Sequence, residues 1–420
     1  MESSSELSTF FRFITEKRTF PTLSLEWLSL VTFSGLRFSL SQWRSHYPAS
    51  PSQGDKRGSP TVSAALPPDM KQFPIIIITA AAILTTAAAC QRPDPKPAQT
   101  HRKPLISLAT TPVKDQGKEE ACWIYAYLAC IETERIEQYG DSLNLSPLWL
   151  ERAYLKEQAR QSYLTQAQWK ISMRSIGPEA DRLLRKYGMV PYSNYHTENI
   201  STKALARDIY NKVEIAVRAK AQLHRLDDLV ETALPRLPHN LRQGFYLYSM
   251  HYTPQQFSRS ITQGIHFRWL TSFTHHPYGT AFPLELPDNR SRHLFRNVPI
   301  TTLLSTVITS LRHHHPIYWE GDMRPITDQK LDISVNENGT LKGNIPHITT
   351  LRQKAFEQYT TTDQHAMAIT GMTYITDKAT GNPVLHFICK NSWGTDWHNK
   401  GYTLMSIHHF LISTMFVGVI

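Results

Sequence analysis

The sequence predicts an α+β protein with two unlike lobes, and two patterns support this prediction. In the first half of the chain, apolar residues recur at three- and four-residue spacing, which is typical of helices. In the last third, short segments rich in β-branched and aromatic residues are separated by turn residues, which is typical of strands. Helices followed by strands favour an α+β class, and 420 residues leave room for a site between two lobes.

The composition is that of a soluble globular protein. The chain is 41% hydrophobic and 19% charged, which leaves enough apolar material for a core. Its formal net charge of +10 invites a comparison with nucleic-acid-binding proteins. However, Lys and Arg are scattered among Glu and Asp, whereas such proteins concentrate positive charge on one face. We therefore expect no nucleic-acid partner.

Residues 70–90 have the features of a bacterial lipoprotein signal peptide. A positively charged start precedes an apolar run, which is shorter than the about 20 residues of a membrane-spanning helix. The small residues of 87-AAAC-90 resemble a lipoprotein cleavage box, in which Cys90 is lipidated. The alternative is a buried, Ala-rich core helix. It is disfavoured because residues 91–105, rich in Pro and charge, predict a flexible tether.

This late signal peptide indicates that translation starts at Met70 and that residues 1–69 are a spurious or disordered extension. We therefore expect an exported lipoprotein of the bacterial cell envelope. Its contact with the membrane would be through the lipid anchor only. No pattern in the sequence predicts the oligomeric state.

Helices are predicted along most of the chain between the tether and the last third. Pro near the start of a segment and Gly at its end, as at Gly140 and Gly188, mark the expected boundaries. The predicted helical segments are 122–140, 146–161, 178–188, 203–234 and 300–315. Residues 106–200 are therefore predicted to form a helical lobe.

Residues 301–420 are predicted to form a β-rich lobe. The expected strands are 317–321, 366–375, 384–391, 402–406 and 415–420.

The stretch 115-DQGKEEACW-123 places Cys122 where a polar segment becomes a helix. A thiol at a helix N-terminus lies at the positive end of the backbone dipole, which favours the nucleophilic thiolate. A reactive thiol also needs a histidine, a group that orients this histidine, and donors for an oxyanion. Taken alone, Cys122 would be a buried helix cysteine, so its interpretation depends on these partners.

The chain offers all three partners. His365 stands at the head of a predicted strand, and Asn391 follows another, so that its amide can orient the imidazole. We expect Trp393 to cover the bond between Asn391 and His365 and to border the substrate. Gln116, six residues before Cys122, can supply an oxyanion donor beside the backbone N–H of the cysteine.

These residues together resemble the papain-like cysteine peptidases over roughly residues 106–420. The matching elements, in the family's order, are Gln116-Gly117, Cys122-Trp123, His365-Ala366, Asn391-Ser392-Trp393-Gly394 and Gly401-Tyr402. The resemblance implies a papain-like two-lobe fold, with a helical left lobe and a β-barrel-like right lobe. It also implies hydrolysis of peptides or proteins through an acyl-enzyme.

The resemblance assigns a role to each site residue. Cys122 is the nucleophile, His365 the general base and acid, and Asn391 the residue that orients the imidazole. Gln116 is the oxyanion donor, and the backbone around Gly177 is expected to line the substrate cleft. No metal or cofactor is expected.

The sequence also departs from the usual family pattern. Residues 119-EEA-121 replace the common Cys-Gly-Ser/Ala run, and two carboxylates near the thiol oppose thiolate formation. The separation of Cys122 and His365 exceeds the roughly 130–150 residues of papain and cathepsins. We attribute the excess to a mostly helical insertion at 201–300. The pattern is most similar to the bleomycin hydrolase and aminopeptidase C branch, which implies an aminopeptidase-like activity.

Other reactive residue types have simpler interpretations. Cys130 and Cys389 stand in apolar surroundings and are predicted to be inert core thiols. The run 313-HHH-315 is predicted to be a surface or helix-end cluster, because three successive histidines converge poorly on one ion. Glu320 and Asp322 are predicted to be loop residues at a strand end.

Two alternatives to a peptidase remain open from the sequence. The first is a catalytically inactive papain-like fold that acts as a surface binding protein, although the intact triad disfavours it. The second is transglutaminase-like acyl transfer. It uses the same thiol chemistry, but it usually employs an Asp rather than an Asn as the orienting residue.

Overall fold

The structure is a computed structural model that describes residues 104–197, 200–324, 331–336, 338–378 and 380–420. The predicted extension, the signal peptide with Cys90, and the tether up to residue 103 lie outside the described residues. Within the described part, no helix is both long enough and apolar enough to span a membrane.

Helices of eight residues or more, with one shorter helix near the C-terminus, account for much of the described chain. They are α1 (Cys122–Tyr139), α2 (Pro147–Leu164), α3 (Gly177–Tyr187), α4 (Thr202–Arg218), α5 (Leu223–Ala233), α6 (Pro254–Ile261), α7 (Ile300–Arg312), α8 (Ile345–Glu357) and α9 (Ile407–Ser413).

Strands are concentrated in the second half of the chain. They are β1 (Ile106–Ser107), β2 (Phe245–Leu247), β3 (Met250–Tyr252), β4 (Arg268–Thr271), β5 (Ala281–Pro283), β6 (Leu294–Asn297), β7 (Ile317–Gly321), β8 (Ile333–Val335), β9 (Leu341–Gly343), β10 (His365–Thr376), β11 (Pro383–Lys390), β12 (Tyr402–Ser406) and β13 (Thr414–Val419).

One large sheet organises the described residues. Its strand order is β12-β11-β10-β7-β13-β4-β6-β5, and β1 pairs with β10 beside this path. Neighbouring strands are antiparallel, except that β4 and β6 are parallel. The predicted α+β class is thus confirmed, and the main sheet also takes in strands β1, β4, β5 and β6, which precede residue 301.

Alternation along the central strands divides the core between the two faces of this sheet. Tyr318 and Ala366 point to the face that packs with α1 in one cluster of buried residues. Their neighbours Trp319 and Met367 belong to a second cluster, which includes residues of α7 and α9. This division follows because successive side chains of a strand point to opposite faces.

Helix α1 begins and ends where the sequence predicts. Cys122 is its first residue, and Gly140 follows its last turn with a left-handed φ of 65°. The N–H of Gly140 donates to the carbonyl of Ile136 at 2.8 Å, so a backbone carbonyl of the last turn is satisfied. Helix α1 packs directly on β10, which brings together two elements that are far apart in the sequence.

The region 201–300 divides into two parts. The predicted helix 203–234 is two helices, α4 and α5, with Lys220 at a positive φ of 47° between them. Further along, β4 pairs with β13 and β6 pairs with β4, so these strands belong to the main sheet. The helical part of this region therefore ends with α6.

Candidate active site

A cavity of about 610 Å³ brings the sequence-predicted site residues together. Gln116, Cys122, His365 and Trp393 all line it. Cys122 begins α1, and His365 begins β10. Because α1 packs on β10, a thiol and an imidazole that are distant in sequence lie in one cavity.

Asn391 and Trp393 hold the imidazole of His365 in place. The Nε2–H of His365 donates to Oδ1 of Asn391 at 2.7 Å, in the tautomer that leaves Nδ1 for proton exchange with the thiol. The indole of Trp393 stacks on the imidazole, with ring centroids 4.7 Å apart. His365 is only 6% exposed. The ring is therefore oriented and shielded, as the sequence predicts.

Gln116 belongs to a short segment that pairs with residues 391–394, and this pairing fixes it beside His365 and Asn391. Its backbone N–H donates to the carbonyl of Ser392 at 2.8 Å. The hydroxyl of Ser392 donates to Oε1 of Gln116 at 2.5 Å, and Nε2 of Gln116 donates to the carbonyl of Glu119 at 2.5 Å. An amide nitrogen carries two donor hydrogens, so one remains available for an oxyanion in the cavity.

The thiol of Cys122 is subject to opposing influences. Its side chain is partly exposed to the cavity. Burial among protein atoms and the charge of Glu320 raise the pKa of Cys122 to about 12, although the backbone N–H groups of Ala366 and Trp123 lower it. Burial also lowers the pKa of His365, which the bond to Asn391 opposes. The sequence predicts that the helix dipole favours the thiolate of Cys122. In the structure, burial of the thiol outweighs the groups that favour the thiolate.

The position of Glu320 corrects a prediction. Glu320 lies inside β7 rather than in a loop, it is 2% exposed, and it lines the cavity. The sheet register places it directly across from Ala366. The carboxylate whose charge raises the pKa of Cys122 therefore comes from the sheet. Asp322 follows the strand and accepts hydrogen bonds from Arg324, with Nε–Oδ1 at 2.9 Å.

Gly177 lies behind the cavity wall. It is buried at the start of α3, and a Cβ added there would come within 2.5 Å of Tyr318. Its N–H donates to Oε2 of Glu320 at 3.4 Å. In this segment the residues that line the cavity are Arg174 and Ser175, just before the glycine. A small residue is needed at 177 because the Tyr318 ring packs so closely.

Among the described residues, the other cysteines and histidines do not line this cavity. Cys130 and Cys389 are fully buried in apolar clusters, which confirms their prediction as core thiols. His314 and His315 follow α7 and pair with Glu137 and Glu134.

In the described chain, one group has the spacing to hold a metal ion: His275, His276 and Glu285. Gln353 argues against that use. Its Oε1 accepts from the N–H of Thr274 at 2.7 Å, so its Nε2 donates to Nδ1 of His275 at 3.0 Å. This leaves the proton of His275 on Nε2, the atom that faces Glu285 at 3.1 Å. A metal would need that nitrogen free.

Sequence reasoning missed several residues of the cavity wall. Asp288, Asp363 and Arg174 line it alongside the predicted residues. Asp363 stands two residues before His365, in the segment that leads into β10, so its closeness in sequence to the predicted histidine was the available signal. Nothing in the local sequence around Asp288 or Arg174 connects either residue to the thiol.

Comparisons with known proteins agree with this geometry. Residues 246–417 match the profile of the Peptidase C1-like family, which is less than half of the chain. The structure of PepW from Lactobacillus rhamnosis HN001 is similar, with a TM-score of 0.54 and 19% identity over 83% of this chain and 89% of that chain. The protein therefore has a papain-like α+β fold.

Other similar structures are more distant. SERA5E of Plasmodium falciparum has a TM-score of 0.36 and 15% identity, covering 74% of this chain and 88% of its own. Procathepsin L 3 of Tenebrio molitor has a TM-score of 0.34 and 15% identity, covering 76% of this chain and 71% of its own. No curated protein sequence matches the chain.

Proposed function

We propose that the protein is a cysteine-type peptidase with Cys122 as its nucleophile. The observation that supports this most strongly is the imidazole of His365, bonded to Asn391 under Trp393, in the same cavity as Cys122 and Gln116. A buried imidazole with one nitrogen bound to an amide oxygen is suited to exchange protons at the other.

The proposed reaction starts from a neutral thiol and a neutral imidazole. Because the pKa of Cys122 is raised and that of His365 is lowered, a preformed thiolate–imidazolium pair is disfavoured. His365 takes the thiol proton as the sulfur attacks the peptide carbonyl. The oxyanion receives hydrogen bonds from Gln116 Nε2 and the backbone N–H of Cys122.

The imidazolium then completes the cycle. It gives its proton to the leaving amine, and the acyl group stays on Cys122 as a thioester. His365 next removes a proton from a water that attacks this thioester. The C–S bond then breaks, the sulfur of Cys122 takes the proton back from His365, and the acid product leaves. We propose aminopeptidase-like trimming as the mode of action, on the sequence resemblance to the bleomycin hydrolase branch.

We also propose that the mature protein is lipid-anchored through Cys90 on the exported side of a bacterial membrane. The support is the pattern of residues 70–90. Mass spectrometry of the native protein tests this. A lipidated N-terminal Cys90 is expected, and an unmodified peptide spanning residues 60–80 would refute it.

Cleavage of a peptide library by the full chain tests the peptidase proposal. The library contains each peptide with a free and with an acetylated N-terminus. Cleavage by the wild type and none by Cys122→Ala is expected, and preference for free N-termini would identify an aminopeptidase. Undiminished cleavage by Cys122→Ala would refute the assignment.

The raised pKa of Cys122 favours one alternative, an inactive fold that binds peptides. A thiol-directed peptide epoxide separates the two functions. Labelling of Cys122 in the folded, reduced protein supports the peptidase. Absence of labelling, together with peptide binding, supports the binding protein.

A further inference from the structure

We propose that the cavity beside Cys122 contains a subsite for a cationic group of the peptide, with the carboxylate of Asp363 as its main ligand and Glu320 beside it. This inference rests on the proposed function, because it takes the ligand to be a peptide. The cationic group is a Lys or Arg side chain or a free N-terminal amine. These sources share the chemistry of an N–H-rich cation.

The cavity wall carries more carboxyl groups than cationic side chains. Its carboxylates are Glu119, Glu120, Asp288, Glu320 and Asp363, whereas its Lys and Arg residues are Lys118, Arg174 and Arg324.

Two of the three cations are already paired. Arg174 binds Asp288 through Nε at 2.9 Å, and Arg324 binds Asp322. The excess of carboxylates is therefore not cancelled within the wall.

Asp363 is the one described carboxylate of the wall with a solvent-shielded oxygen that has no hydrogen-bond partner. It is 8% exposed, and its Oδ2 is shielded from solvent without any hydrogen bond. By contrast, Glu119 accepts from the hydroxyl of Thr202 at 2.7 Å and from the N–H of Lys203 at 3.0 Å. A buried carboxylate oxygen without a donor is costly, and a charged N–H donor from a ligand would remove that cost.

The fold places this carboxylate close to the reactive groups. Asp363 is two residues before His365, and Glu320 lies across the sheet from Ala366. Glu320 is close enough to Cys122 for its charge to act on the thiol. A cation held here would therefore belong to a residue near the bond that is cleaved.

The ionisation of Asp363 is compatible with this role. Burial and the neighbouring Asp288 raise the pKa of Asp363 to about 6, while Arg174 opposes the shift. The carboxylate is thus mostly ionised at neutral pH. Burial, followed by the charge of Asp363, also raises the pKa of Glu320. A bound cation would lower the pKa values of Asp363 and Glu320 and so favour the ionised form of both carboxyl groups.

Binding to the full-length Cys122→Ala protein tests the proposal without turnover. The probes are acetylated alanine tetrapeptide amides that carry one Arg, Lys or uncharged citrulline at each position, and the same all-alanine peptide with a free N-terminus. Calorimetry at pH 7 gives each dissociation constant. We expect the cationic form to bind at least about tenfold more tightly at one position, since bonds to charged groups contribute that much or more.

Charge-removing variants identify the ligand residue. Adding Asp363→Asn should abolish the preference, whereas adding Glu120→Gln, an exposed carboxylate of the same cavity, should leave it. Preference for Arg and Lys points to a side-chain subsite, and preference for the free N-terminus points to an amine subsite.

Two other results would overturn the proposal and separate it from the proposed function. Peptide binding without any preference for charge, or a preference that survives Asp363→Asn, refutes the subsite and leaves the peptidase. Failure of every peptide to bind counts against both.

Discussion

At the scale of single residues, the groups around Cys122 have opposing effects on the pKa of its thiol. The helix N-terminus and the N–H groups of Ala366 and Trp123 favour the thiolate, while burial and Glu320 favour the thiol. Helix-terminus charges contribute typically about 0.3–1 kcal/mol, and one pKa unit corresponds to about 1.4 kcal/mol. The helix effect is therefore too small to offset a strong burial effect, and proton removal by His365 is expected to accompany attack.

The alkylation rate of Cys122 tests this description. The rate with neutral iodoacetamide should rise throughout pH 7–11, because the thiol pKa is raised. Glu320→Gln removes the charge that raises this pKa, so its profile should shift to lower pH, and Glu120→Gln serves as a matched control. A pH-independent rate from pH 5 upward would instead show a preformed ion pair.

The roles of the triad residues predict a graded loss of activity. Cys122→Ala should abolish turnover with the fold retained, as judged by circular dichroism. His365→Ala should lower kcat by about 10²–10⁴, the usual contribution of general acid–base catalysis. Asn391→Ala should lower it less, because the stacked Trp393 still limits the movement of the ring. A greater loss in Asn391→Ala than in His365→Ala would contradict these roles.

At the scale of elements, predictability followed the length of the pattern that each element carries in the sequence. Helices α1, α2, α3 and α7 and strands β7, β10, β11, β12 and β13 were predicted because each carries a long apolar pattern or clear end signals. Short elements such as β5, β8 and β9 have three residues each and pair with another short strand nearby in the sequence. Their sequences carry too few residues to show a period.

The residues of the candidate site likewise fall into those that the sequence predicts and those that it does not. Cys122, His365 and Asn391 were found because each lies at a recognisable helix or strand end, and Gln116 because it stands six residues before Cys122. Glu320 was assigned to a loop because its place on the cavity wall depends on the pairing of β7 with β10. Such a register is decided by the whole sheet and not by residues 317–321 alone.

Helix α2 contains a carboxyl group whose ionisation should make stability depend on pH. Glu151 is 4% exposed, and burial, together with the charge of Glu119, raises its pKa to about 8. The folded state therefore binds this proton more tightly than the unfolded state, where the pKa is about 4.3. The resulting stabilisation is present below pH 4.3 and is lost as the pH rises to about 8.

Glu151→Gln should therefore raise the free energy of unfolding at pH 8 more than at pH 5. Urea unfolding at the two pH values measures this, with the exposed Glu214→Gln as the control. An equal effect of Glu151→Gln at both pH values would show that Glu151 is not buried as described.

At the scale of the whole molecule, α1 and the segment before it are joined by a buried ionic group. Glu132 of α1 is fully buried and accepts from Lys114 Nζ at 2.6 Å, from the hydroxyl of Thr111, and from the N–H of Leu145 at 2.7 Å. Lys390, adjacent to Asn391, donates to the carbonyl of Thr111 at 2.7 Å. The group thus connects the helix of the nucleophile to the strand that leads to Asn391.

Glu132→Gln should destabilise the fold by about 3–5 kcal/mol, the usual cost of breaking a buried ion pair on one side. Urea unfolding at pH 7 measures the loss. Glu214→Gln, in an exposed pair with Arg218, should change stability by less than about 0.5 kcal/mol. A similarly small change in Glu132→Gln would show that the buried group does not hold these segments together.

The central claim is that Cys122 attacks a carbonyl and carries the acyl group. Rapid mixing of the full chain with a peptide p-nitrophenyl ester, followed by peptide mass mapping, tests it most directly. A burst of about one p-nitrophenol per protein, with the acyl mass on Cys122, is predicted for the wild type, and neither is predicted for Cys122→Ala. An acyl group on a different residue, or steady release with no burst and no acylated protein, would contradict the claim.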